Sequence, residues 1–116
     1  MGDGNTLLDR ALFDEFAELF DPDEMRDVIA EWHADLQTAL RAIGEALEHD
    51  DPAEVARVAH RTAGGGLALG ATSLAAVCEG LRAQAESGAG VTADDIERVR
   101  ESAEATHRAL EDAVGE

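Results

Sequence analysis

The stretch from Met25 to Leu47, MRDVIAEWHADLQTALRAIGEAL, decides how this chain folds. Met25, Val28, Ile29, Trp32, Leu36, Leu40, Ile43 and Leu47 recur with the 3.6-residue period of a helix over about seven turns, which makes one long amphipathic helix with a single inward stripe. Such a stripe needs partners, and the flanking sequence provides them. Upstream, Leu12, Phe13, Phe16, Leu19 and Phe20 form a short amphipathic helix that breaks at Asp21-Pro22, where Asp21 caps and Pro22 opens the long one. Downstream, Asp51-Pro52 repeats that chemistry, and Val55, Val58, Ala59, Thr62, Gly66 and Leu69 line a third helix.

After a short connection at Gly70-Ala71-Thr72-Ser73, Leu74, Val77, Cys78, Leu81 and Ala85 define a fourth helix ending at Gly88-Ala89-Gly90. Thr92 then caps a last helix, with Asp95 completing a variant capping box and Ile96, Val99, Ala103, Leu110 and Val114 facing inward. The expected helices cover about 8–20, 23–48, 52–69, 72–87 and 93–114. Short loops between long helices force antiparallel neighbours. The expectation is an all-α, up-down-up-down four-helix bundle with a short extra N-terminal helix, forming one domain over residues 1–116.

Composition narrows the function. The formal net charge is −17, from 26 acids against 9 cationic side chains, all of them arginine. A surface of that sign excludes nucleic acid and anionic membranes as expected partners, because phosphate binding needs clustered cations. The single cysteine, Cys78, allows no internal disulfide and reads as a buried small apolar group. No apolar run approaches the ~20 residues of a membrane span and the acidic start is unlike a signal peptide, so a cytoplasmic, free-standing monomer is expected.

The segment Ala59-His60-Arg61-Thr62-Ala63-Gly64-Gly65-Gly66 is the chemically informative one. Glycine within a helix costs roughly 1 kcal/mol relative to alanine, so three in succession call for a reason such as close approach of another molecule. With the inner stripe centred on Val55, Thr62 and Gly66, His60 lies about 120–140° away and should be exposed. Its neighbours Ala53, Ala56, Ala63, Gly64 and Leu67 would then form a bare patch suited to docking, with Gly66 an inner helix contact. His33, His49 and His107 read as surface or helix-end residues.

His60, Gly64, Gly65, Gly66, Leu69, Gly70 and Ala71, followed by Leu74, Cys78, Glu79, Leu81 and Gly88, resemble the pattern of histidine-containing phosphotransfer (HPt) domains of multistep phosphorelays. The resemblance spans about residues 8–114. It implies a phosphorelay intermediate, not an enzyme with its own turnover or ATP site, in which His60 accepts a phosphoryl group from a receiver-domain phospho-aspartate and passes it to another receiver. The implied partners are response-regulator receivers or a hybrid histidine kinase, and the implied Mg²⁺ is the receiver's, so the chain carries no cofactor or metal of its own.

Two positions depart from the family pattern. The lysine expected three residues after the histidine is Ala63, and the apolar residue before it is Thr62. A cation beside the histidine would ease the approach of charged phosphoryl oxygens. Arg61, Arg57 and Arg82 are the candidates, and Arg82 is favoured because the family often places a polar, hydrogen-bonding residue there. Two other readings compete: an HPt-like adaptor that binds without transferring phosphate, favoured by the missing lysine, and a di-iron bundle, suggested by the Glu-x-x-His spacing of Glu104 and His107. That motif has no second copy, and retention of His60 opposes the adaptor.

Overall fold

Aspartates set the helix starts. Asp21 accepts from the Glu24 amide while Glu24 accepts from the Asp21 amide, a closed capping box with Pro22 in the first turn. Asp51 caps the next helix ahead of Pro52, and Thr92 with Asp95 repeats the reciprocal pairing at the last. The computed structural model describes residues 7–115, so the ends of the expected 1–116 span lie outside it. It contains α1 (Arg10–Ala17), α2 (Pro22–Glu48), α3 (Pro52–Leu67), α4 (Thr72–Ser87) and α5 (Ala93–Gly115), and no strand among the described residues.

The four long helices contact one another in a closed ring: α2 on α3, α3 on α4, α4 on α5 and α5 back on α2. Leu36, Leu40, Ile43, Val58, Leu74 and Val99 belong to the core they enclose. A second cluster sits at one end, where Phe13 of α1 meets Met25 and Ile29 near the start of α2, Leu69 past the end of α3, and Leu110 and Ala113 near the end of α5. At the opposite end a small cavity is lined by Leu47, Val55, Ala85 and Val91.

Two helices are shorter than their apolar patterns suggested. α1 begins after Asp9, whose carboxylate accepts from the Leu12 amide, and of its five expected inward residues only Phe13 is buried. Leu12 and Leu19 are 40% and 73% exposed, because so short a helix lays one edge, not a full stripe, on the end of the bundle. α3 stops at Leu67 because Gly70 takes a left-handed conformation at φ +81°. Ala71 then donates to the Gly66 carbonyl at 2.9 Å and Gly70 to that of Leu67 at 3.0 Å, which is the Schellman closure. Leu69 lies in this turn and is still buried.

Gly70 also seats α1. The Asp9 amide donates to the Gly70 carbonyl at 2.8 Å, and a Cβ at position 70 would lie 2.6 Å from the Asp9 carbonyl oxygen. At the end of α2 the same closure is made by Asp50, at φ +54°, with Asp51 donating to Ala46 and Asp50 to Leu47. The two left-handed positions predict opposite responses in urea unfolding. Gly70→Ala destabilises by about 1–3 kcal/mol through strain and the collision with Asp9, whereas Asp50→Gly stabilises by roughly 0.5 kcal/mol.

Candidate functional site

α3 and α4 make the most extensive helix contact in the molecule, and small residues allow it. Ala56, Ala59, Ala63 and Gly66 of α3 share the buried interior with Ala71, Ala75 and Cys78, and a Cβ on Gly66 would touch the Ala71 methyl at 3.4 Å. This close approach turns the buried arc of α3 by roughly 30° from its expected centre. Ala56 and Ala63 are therefore core residues, not members of an outward patch, and Thr62 is only half-buried with its hydroxyl bonded back to the Val58 carbonyl. The Ala63 Cβ thus starts inside the core.

His60 remains on the outer side, with its side chain 69% exposed. Its Nδ1 donates to Oε2 of Glu79, on α4, at 2.8 Å. The other oxygen of Glu79 accepts from Arg82 Nε, and Arg82 Nη1 reaches Glu86 at 2.7 Å. Glu79 is held below the usual carboxylate range, first by the Arg82 hydrogen bond and then by that of His60, while the same contact raises Arg82. Glu79 is thus a carboxylate at neutral pH. An open hollow of about 630 Å³ lies beside the imidazole, floored by Ala53, Ala56 and Ala85 and walled by Arg57, Arg82 and Glu86.

The three candidate arginines separate. Arg82 and Arg57 share the hollow with His60, although Arg57 is also clasped through two nitrogens by Glu54, at 2.8 and 2.7 Å. That pair is exposed and costs little to open. Arg61 lies elsewhere, in the groove between α2 and α3 with Trp32, Asp35 and Gly65. It stands one residue, about 100°, further round the helix from His60. Gly64 and Leu67 continue the outer face of α3, both exposed, and neither Gly64 nor Gly65 has anything within 4 Å of where a Cβ would stand.

The sequence marks Glu79 only as one residue of the family pattern, because its meeting with His60 depends on the register between two helices. His33 and His107, expected at the surface or at helix ends, are half-buried, and their rings stack across α2 and α5 with centroids 3.8 Å apart, flanked by Gln37, Glu104 and Glu111. Glu104 therefore faces His33, and no group of three or more His, Cys, Asp or Glu among the described residues could hold a metal ion. Cys78 is fully buried, and burial pushes its thiol up to about 11, so it is not a nucleophile at neutral pH.

A family model, Hpt domain, matches residues 25–114. The chain belongs to the Hpt domain family. Histidine-containing phosphotransfer protein B (HptB) from Pseudomonas aeruginosa PAO1 has a similar fold, with a TM-score of 0.85 over 97% of each chain at 23% identity. No curated protein matches. Membership assigns a histidine phosphotransfer role in two-component phosphorelays, where Hpt proteins are intermediates that work with receiver domains and histidine kinases. No helix among the described residues is long and apolar enough to cross a membrane.

Packing gives Gly64 no reason to be glycine, since its missing side chain would enter open space. Gly64→Ala is accordingly expected to raise stability by about 1 kcal/mol in thermal or urea unfolding. A neutral or destabilising result would mean that the backbone at this turn needs glycine for the fold itself.

Proposed function

We propose that His60 is the phosphoacceptor: it takes a phosphoryl group from the phospho-aspartate of one receiver domain and passes it to the aspartate of another. The observation that carries this reading is the placement of His60. It is the exposed histidine of the glycine-rich helix, tied at Nδ1 by Glu79 and bordered by the hollow on one side and bare glycine backbone on the other. With Nδ1 engaged, Nε2 is the nitrogen available for in-line attack. The Nε2–P bond forms as the P–O bond to aspartate breaks, and the carboxylate leaves with the electron pair.

The remaining assignments follow from this role. Arg82, with Arg57 beside it, supplies the positive charge that the missing lysine would give, because both side chains border the space a phosphoryl group would enter. Mg²⁺ comes with the receiver, as does the acidic chemistry around its aspartate. Gly64 and Leu67 form part of the surface on which the receiver rests. We take the helical ring as an antiparallel up-down-up-down bundle with α1 across one end, acting as a monomer in the cytoplasm. The apolar cluster at one end and the cavity lining at the other support that arrangement, since the first brings the start of α2 to the end of α5 and the second brings the end of α2 to the start of α3.

The test is transfer from a response-regulator receiver domain phosphorylated on aspartate, with Mg²⁺ present. Wild type is expected to acquire an acid-labile, base-stable phosphate while the receiver loses its own, and His60→Gln, an exposed substitution that leaves the helical signal unchanged, is expected to acquire none. Labelling that persists in His60→Gln would overturn the assignment. Saturable receiver binding without transfer would leave the adaptor reading in its place.

A further inference from the structure

Glu54, Arg57 and His60 follow one another along α3 at intervals of three residues, so Arg57 stands about one turn from each of the other two. Its guanidinium reaches back towards the helix start: Nε donates to Oε1 of Glu54 at 2.8 Å and Nη2 to Oε2 at 2.7 Å, and it has no other hydrogen bond or ion pair among the described residues. Glu54 holds the third position of its helix, as Glu24 does in α2, yet it behaves differently. Glu24 folds back on the Asp21 amide, whereas the Asp51 amide is already donated to the Ala46 carbonyl by the closure of α2. With that amide taken, the Glu54 carboxylate turns to Arg57.

Arg57 borders the hollow beside His60, and Glu54 does not. Arg82, the other cation of the hollow, is less free to move, because it divides its donors between Glu79 and Glu86 and its side chain is 34% exposed against 58% for Arg57. Three carboxylates thus hold the two guanidiniums nearest the imidazole, and no cationic charge is left over before a phosphoryl group arrives. We infer that Glu54 and the phosphorylated His60 compete for Arg57. Glu54 holds the guanidinium while the imidazole is bare, Arg57 turns to the phosphoryl oxygens once His60 carries the group, and Glu54 thereby sets how far the transfer equilibrium favours this protein.

The competition follows from charge and reach. Side chains one turn apart on a helix have Cβ atoms about 5–6 Å from each other, which an arginine spans in either direction along the axis. The phosphoryl group brings about two negative charges to the rim where a carboxylate has one, and its oxygens suit the same planar fork of donors. Glu54 is ionised when the group arrives, since its hydrogen bond with Arg57 holds the carboxyl below the usual carboxylate range. An exposed pair of this kind is weak and opens readily, but every transfer onto His60 still has to break it. When the phosphoryl group leaves for another receiver, Glu54 takes Arg57 back, which favours departure. Only hydrogen bonds are exchanged in these steps, and the N–P bond forms and breaks as already described.

The inference rests on His60 being the phosphoacceptor, and its test separates the two. A response-regulator receiver domain phosphorylated on aspartate is mixed with the protein and Mg²⁺, and the ratio of phosphohistidine to phospho-aspartate is read at the plateau. Glu54→Gln is expected to move that ratio about two- to fivefold towards phosphohistidine, the range open to an exposed ion pair. Arg57→Ala is expected to move it the other way, and Glu54→Gln added to Arg57→Ala to change nothing further, because Glu54 acts through Arg57. Glu101→Gln, which removes an exposed acid from α5, should leave the ratio where it is. In ¹H–¹⁵N spectra the Arg57 Nε–H resonance is expected to shift when His60 is phosphorylated. A ratio unmoved by Glu54→Gln, a shift that persists in full without Arg57, an equal shift in Glu101→Gln, or an Arg57 resonance that ignores phosphorylation would overturn the inference and leave His60 the acceptor. Wild type that gains no phosphate on His60 would overturn both.

Discussion

The close approach of α3 to α4 is the constraint on which the rest of the molecule depends. Alanine and glycine along α3, opposed by Ala71, Ala75 and Cys78, let two helices pack with little side chain between them. That proximity brings Glu79 within hydrogen-bonding distance of His60 from a different helix, and it turns Ala63 into the core. Bulkier residues at these positions would separate the helices and with them the two halves of the site. Packing density and chemistry are here the same requirement.

Gly70 fixes where that packing ends. Its left-handed backbone closes α3, aims the chain into α4, and receives the amide of Asp9, so a single residue ties the site helix to the cap formed by α1. Gly64 and Gly65 have a different character, since neither is required by a turn or by a neighbour. They leave the outer face of α3 low around His60. The strongly acidic surface makes the local cations Arg57 and Arg82 conspicuous, and both are held by carboxylates that an arriving phosphoryl group would have to rival.

Much of this was legible in the sequence because it is written in local chemistry. The aspartate-proline starts of α2 and α3, the Thr92 and Asp95 pairing and the long stripe of α2 depend on residues within a few turns of each other. The exposure of His60 was legible for the same reason. What was not legible depended on partners far away in the chain. The phase of α3 read from Val55, Thr62 and Gly66 keeps Val55 and Gly66 buried, but the nearness of α4 adds the small residues Ala56 and Ala63 to the buried arc and leaves Thr62 at its edge. Leu12 and Leu19 kept a helical period without a core to face. The bond from His60 to Glu79 and the stacking of His33 on His107 each need the register between two helices, which no single segment encodes.

The central claim is that one nitrogen of one histidine carries the phosphoryl group. Its most direct test is to locate the phosphate in ¹⁵N-labelled protein after transfer from a phosphorylated receiver domain, using ³¹P–¹⁵N couplings together with peptide mapping. The account predicts a single modified residue, His60, with phosphorus bonded to Nε2 and the proton retained on Nδ1. Phosphate on His33, His49 or His107, or on Nδ1 of His60, would contradict it.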